Sequence, residues 1–184
     1  MARIIGITGT LGAGKGTIVE YLKKKGFVHF SVRGYLTSEL EKRNMEVNRD
    51  NMVELANRIR AENSPSYIAE QMYEQASKTG KDIIIESLRT EGEVLSLRKK
   101  PGFVLLAIDA DQRLRYERIT ERKSATDNVS FEKFIEDEKK EMGSTDPNKQ
   151  NLRACIEMAD YRIENSGTIE ELNRKIDAIL EELD

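Results

Sequence analysis

The 184-residue chain has one cysteine, Cys155, and one histidine, His29. A single thiol excludes an intramolecular disulfide, and the pair is too few for a zinc site of nitrogen and sulfur ligands. No Ser/His/Asp triad is available that does not run through His29. The three prolines, Pro65, Pro101 and Pro147, are scattered, and there is no internal repeat, low-complexity tract or linker. No apolar stretch approaches the roughly 18 residues that suggest a membrane helix. The opening Met-Ala-Arg-Ile-Ile-Gly-Ile-Thr-Gly lacks the pattern of a secretory signal, which gives a cytoplasmic expectation. An excess of one charge is missing too: 30 Lys and Arg face 33 Asp and Glu, for a net −3. No overall field draws such a chain onto nucleic acid or an anionic membrane, so any anion site must be local.

What is present is an alternation of short apolar runs and amphipathic stretches. Arg3 to Thr8, Phe27 to Phe30, Asp82 to Glu86, Phe103 to Ile108 and residues 160–164 read as strands. Asp82 to Glu86 lacks polar alternation, as a strand covered on both faces should. Helical spacing marks Thr17 to Lys25, with Ile18, Tyr21 and Leu22 on one face, and residues 35–43, 50–62, 111–122, 131–142 and 149–158. Ser64 and Pro65 supply a cap and a first-turn proline for a helix carrying Ile68, Met72 and Ala76 and ending at Gly80. Thr168 and Glu171 form a capping box for the last helix. At this length the order predicts one α/β domain with a parallel sheet of about five strands and helices on both faces. Ligands of such sheets bind beyond the carboxyl ends of the strands, where the candidate motifs fall.

Gly9-Thr10-Leu11-Gly12-Ala13-Gly14-Lys15-Gly16-Thr17 leaves the first strand and enters the first helix. Backbone N–H groups and the positive helix end there can wrap a polyphosphate, which a Cβ would obstruct. Lys15 can reach the β and γ phosphates as a point charge on a long stem. Gly16 follows Lys15, so the hydroxyl for magnesium falls to Thr17. Glu86, ending the third strand, can hold magnesium through water or orient an acceptor. Arg115, Arg118 and Arg122, spaced three and four apart, share a helical face.

The Gly14-Lys15-Gly16-Thr17 form resembles adenylate kinases and related P-loop nucleoside monophosphate kinases. The chain is also similar to small archaeal adenylate-kinase-related P-loop proteins, through Ala56-Asn57-Arg58-Ile59-Arg60 before Pro65, Glu86-Ser87-Leu88-Arg89, Arg115-Tyr116-Glu117-Arg118, and Ala159-Asp160-Tyr161 leading to Asn165-Ser166-Gly167. The resemblance implies a P-loop NTPase three-layer α/β/α sandwich spanning 1–184, with an acceptor-binding helical region at about 31–80 and a lid at about 118–148. It implies ATP and Mg2+, and transfer of the γ-phosphoryl to a nucleoside or deoxynucleoside monophosphate. Lys15, Arg118, Arg122 and Glu86 are then the catalytic candidates, with Thr17 and Glu86 at the metal. Gly9, Leu11, Gly12, Ala13, Gly14, Lys15, Gly16, Thr17, Arg118 and Asn165 would hold ATP. Ser31, Arg33, Arg60 and Arg89 would meet the acceptor, Arg89 gripping its phosphate and Arg33 or Arg60 adding a cation. Adenylate kinases carry Asp and Arg where this chain has Gly34 and Thr37, which leaves the base open.

The partners expected are small-molecule nucleotides, with no nucleic acid and no membrane, for a monomer or homodimer. Two alternatives share the loop: a dephospho-coenzyme A kinase, and an ATP-dependent switch or assembly factor. The former family carries Asp-Ala-Asp after the second strand, where this chain has Ser31-Val32-Arg33; Asp109-Ala110-Asp111 follows the fourth strand instead. His29 is expected at a strand end without a base's role, and Cys155, Tyr116 and Phe134 in packing.

Overall fold

The computed structural model describes residues 2–122 and 129–183. In chain order these form β1 (Ile4–Gly9), α1 (Lys15–Lys24), β2 (Val28–Ser31), α2 (Val32–Lys42), α3 (Arg49–Glu62), α4 (Tyr67–Ser77), β3 (Ile83–Glu86), α5 (Glu91–Arg98), β4 (Phe103–Asp109), α6 (Gln112–Arg122), α7 (Phe131–Met142), α8 (Leu152–Glu157), β5 (Tyr161–Glu164) and α9 (Ile169–Glu182). The strands make one sheet of order β2-β3-β1-β4-β5, parallel at every pairing. All six residues of β1 are buried, because the strand lies mid-sheet between two helical layers.

Strand residues alternate between two cores. Ile4, Ile83, Ile85 and Leu105 pack with α2, α3, α4, α5 and Cys155 of α8. Ile5, Ile7, Ile84, Leu106, Ile108 and Ile163 pack on the other face with Ile18 and Leu22 of α1 and Leu172 and Ile176 of α9. The three-layer α/β/α sandwich expected from the sequence is therefore present. Beyond the carboxyl end of the sheet, α7 is joined to α6 by rings: Tyr116 meets Phe131 at 5.0 Å and Phe134 at 5.6 Å.

The Thr168–Glu171 capping box is present, and Cys155 is fully buried, its thiol pushed up to about 12 chiefly by burial. Other local expectations are corrected. The helix after Pro65 begins at Tyr67, and neither Ser64 nor Ser66 caps it, since Ser66 Oγ donates to Glu70 Oε1 instead. The helix expected at 35–43 starts at Val32, because Ser31 accepts a hydrogen bond from the Gly34 amide and so acts as its N-cap. The helix expected at 149–158 narrows to Leu152–Glu157 behind an Asn151 cap. Helix α5 was not anticipated: eight residues interrupted by Gly92 give little periodicity, although Thr90 and Glu93 make a complete capping box before it.

Candidate functional site

The loop between β1 and α1 is held open by contacts that leave no room for side chains. Gly12 has φ +81, and a Cβ on it would lie 2.4 Å from the Arg115 carbonyl oxygen. Gly14 has φ +103 and would meet Asn165 Nδ2 at 2.3 Å. At Gly16 a Cβ would touch nothing within 4 Å, so the expected steric requirement applies to the glycines before Lys15 and not to the one after it. Helix α1 starts without a side-chain cap and without an acid in its first turn, so no side chain of its own neutralises its positive end.

Two distant residues brace this loop. Arg115, 4% exposed, donates from Nε to the Ala110 oxygen at 2.9 Å and from Nη1 to the Leu11 oxygen at 3.2 Å and to Glu138 of α7. Asn165, just after β5, donates from Nδ2 to the Ala13 oxygen at 2.7 Å. Thr10 Oγ1 donates to Asp109 Oδ1 at 2.6 Å, while Asp111 accepts from the Arg113 and Leu114 amides at the start of α6. The Asp109-Ala110-Asp111 run is thus engaged in loop support and helix capping.

Lys15 folds back over the loop, its Nζ donating to the Gly9 oxygen at 2.8 Å and the Thr10 oxygen at 2.7 Å. Burial first, and the Arg89 charge second, hold its ammonium down to about 7, against the pull of Glu86 and Glu141. Glu86 ends β3 level with Ile7 of β1. Its Oε2 lies 3.0 Å from His29 Nε2. Burial works against the Glu86 carboxylate, but the His29 hydrogen bond and the Lys15 charge outweigh it and lower its pKa. The next residue, Ser87, is at φ +73, an uncommon conformation for a side-chain-bearing residue. It lets the Ser87 and Leu88 amides both donate to the Ile7 oxygen, at 2.9 and 3.2 Å. The chain after β3 thereby stays joined to the end of β1, where Thr8 Oγ1 donates to the Leu88 oxygen at 2.8 Å.

A cavity of about 870 Å³ runs across these parts. Of the residues anticipated, Leu11, Gly12, Gly14, Lys15, Gly16, Thr17, Glu86, Arg118, Arg122 and Asn165 line it, together with Arg33, Arg60 and Arg89. Gly9 and Ala13 do not line it; both serve the loop through carbonyls, bound by Lys15 and Asn165. Ser31 does not either, its hydroxyl being committed to the α2 cap. Arg60 lines the wall, but its charge is spent on Glu93: Nε and Nη2 donate to Glu93 Oε1 at 3.2 and 2.8 Å, both side chains being buried. The additional cation expected of Arg60 is thus a guanidinium already balanced by Glu93. Arg118 has a buried Nη1 without a hydrogen-bond partner among the described residues. Of the lid expected at 118–148, residues 123–128 lie outside the described residues.

Sequence reasoning missed Arg49 and Glu141. Glu141, in the last turn of α7, bridges Arg49 Nη2 at 2.5 Å and Arg89 Nη1 at 2.8 Å inside the cavity. Burial raises its pKa, but the Arg89 and Arg49 charges outweigh burial and keep it below the usual range. An acid at the negative end of a helix is unfavourable by itself, and that mismatch was the available signal that something else holds it.

A family model described as an AAA domain matches residues 5–143. A UPF0200 protein of Methanocaldococcus jannaschii is 30% identical over 183 residues, covering 98% of this chain and 90% of that protein. Among solved structures, TT1252 from Thermus thermophilus superposes with a TM-score of 0.65 at 19% identity, covering 100% of this chain and 99% of that one. Shikimate kinase from Bacteroides thetaiotaomicron gives 0.60 at 12% identity, with 97% and 98% covered. At such identities the two structures establish a common fold, a parallel sheet between two helical layers. Among the described residues no helix is long and apolar enough to cross a membrane.

Proposed function

We propose, since this chain belongs to the AAA domain family and to the UPF0200 proteins, that it is a P-loop phosphotransferase moving the γ-phosphoryl of ATP to a nucleoside or deoxynucleoside monophosphate. The observation that carries this reading is the shape of the cavity beyond the loop. It begins at the loop and Lys15, passes Glu86, and continues to a compartment where Arg49 and Arg89 already grip a carboxylate. A guanidinium pair arranged around Glu141 suits an acceptor's phosphate equally well in charge and geometry.

Phosphoryl transfer asks a protein chiefly for alignment and charge stabilisation. ATP would lie with its β and γ phosphates on the loop amides and the α1 terminus, and Lys15 would exchange the Gly9 and Thr10 oxygens for phosphate oxygens. An oxygen of the acceptor phosphate, held by Arg89 with Arg49 and Arg33, attacks the γ-phosphorus. The bond from that phosphorus to the β,γ-bridging oxygen breaks, releasing ADP and the diphosphate. The acceptor oxygen is already anionic, so no proton has to be removed, and His29 serves to orient Glu86. Arg118 and Arg122 would stabilise the charge spread over the moving group. Thr17 and Glu86 both line the cavity and fit magnesium, which keeps several waters and takes few protein ligands besides nucleotide phosphates. When bound it neutralises developing charge on the β and γ oxygens.

The test is ADP release from ATP and magnesium against a panel of ribo- and deoxyribonucleoside monophosphates. Turnover that appears only with a particular monophosphate is expected. Stimulation by dephospho-coenzyme A alone, or ADP release indifferent to every addition, would overturn the assignment.

A further inference from the structure

Helix α3 presents Arg49, Met52, Val53, Ala56 and Arg60 to the cavity, a single face by their spacing. One arginine stands near each end, about 16 Å apart along the axis, with apolar side chains between. The two are not equivalent. Arg49 joins Arg89 around Glu141, whereas Arg60 is 2% exposed and paired one to one with Glu93.

Glu93 is itself immobilised, since its Oε2 accepts the Arg89 amide at 2.8 Å and the Thr90 amide at 3.1 Å. With Nε and Nη2 of Arg60 bound to the other oxygen, the guanidinium plane is fixed. Its Nη1 is left buried without a hydrogen-bond partner among the described residues. Native proteins rarely leave a buried donor unmatched, and such a group calls for an explanation. A second anion is a poor one, because the Arg60 charge is already balanced and a phosphate would sit beside the Glu93 carboxylate. A neutral oxygen is a good one. A guanidinium nitrogen only donates, so it pairs with an accepting carbonyl oxygen opposite it and excludes an amino group. Leu36, Met52 and Ala56, which line the same compartment, offer the apolar wall that a flat ring needs.

We infer that Arg60 determines acceptor specificity by donating from Nη1 to the ring carbonyl at C4 of a pyrimidine or C6 of a purine. The acceptor is then a monophosphate of a keto-bearing base, of the uracil, thymine or hypoxanthine type, rather than its amino-bearing counterpart. This rests on the reading of the cavity as that of a monophosphate kinase, and it assigns which base that kinase accepts.

Two pairs of acceptors differ by carbonyl against amine at one ring position, with the adjoining ring N–H against a bare nitrogen: UMP against CMP at C4, and IMP against AMP at C6. The wild-type protein should turn over the keto member of at least one pair with kcat/KM higher by about tenfold or more. Arg60→Met combined with Glu93→Gln removes both charges while leaving an acceptor for the Arg89 and Thr90 amides. It should fold, bind ATP with unchanged affinity, and compress that ratio to within about threefold. Arg60→Lys keeps a cation for Glu93 but withdraws the second nitrogen, so it should lose the preference as well, and it serves if the double variant fails to fold. Amino members used as well as keto members, or a preference that persists in either folded variant, would overturn the role of Arg60. Phosphorylation of all four without preference removes this inference alone; no turnover and no saturable binding of any of the four removes the kinase reading with it.

Discussion

Lys15 offers a proton-linked test of the loop. Its ammonium is held down to about 7 before nucleotide arrives, first by burial and then by Arg89. At pH 8 roughly nine in ten molecules then carry a neutral Lys15, while a lysine beside a polyphosphate returns toward its ordinary value of about 10.4. Binding of ATP should therefore take up about 0.9 proton at pH 8, and affinity should fall by up to about tenfold per pH unit above the free value. Calorimetric titration in buffers of different ionisation enthalpy reads this uptake as the slope of observed enthalpy against buffer enthalpy. Lys15→Met should bring the slope near zero with the fold intact. Without ligand the sign is opposite in consequence: between about 7 and 10.5 the unfolded chain binds the extra proton, so this group makes the unliganded protein more stable as pH rises through that window. Equal slopes for the wild type and the Lys15→Met variant would refute this account of the loop.

Gly12→Ala forces a Cβ against the backbone of Arg115 at positive φ and should lower Tm by about 5 °C, whereas Gly16→Ala, which meets nothing, should leave Tm unchanged or slightly raised; thermal scans of the two variants side by side decide it. Asn165→Ala strips the Ala13 carbonyl of its donor, and ATP affinity measured by titration should drop about tenfold, an unpaired buried acceptor costing about 1–3 kcal/mol. Glu141→Gln removes the carboxylate that competes for Arg49 and Arg89, so KM for the acceptor should fall about threefold or more while ATP affinity holds. A higher KM would mean that Glu141 helps to bind the acceptor.

Much of the scaffold was legible because its signals are local. The glycines, Lys15 and Thr17 sit in one segment, β1 and β3 open on isoleucine runs, and the Thr168–Glu171 box spans a single turn. What escaped depends on partners far along the chain. Nothing near Arg115 reveals that it lies beneath Leu11 rather than beside Arg118 at the cavity, and nothing near Arg60 discloses Glu93, 33 positions away. Glu141 stands 92 residues from Arg49 and 52 from Arg89, so their meeting is a product of packing alone. Helix α5 was overlooked for the opposite reason: its cap is local, but too short a run follows it to register as periodic.

The carbonyl of Ala13 is tied to Asn165, a separation of 152 residues, and that tie makes the shape of the loop depend on the finished sheet. The loop follows the mid-sheet strand β1, yet its inner brace follows the edge strand β5. A chain whose β5 has not yet docked thus keeps its loop unbraced at Ala13, and its grip on nucleotide should tighten only as the sheet is completed.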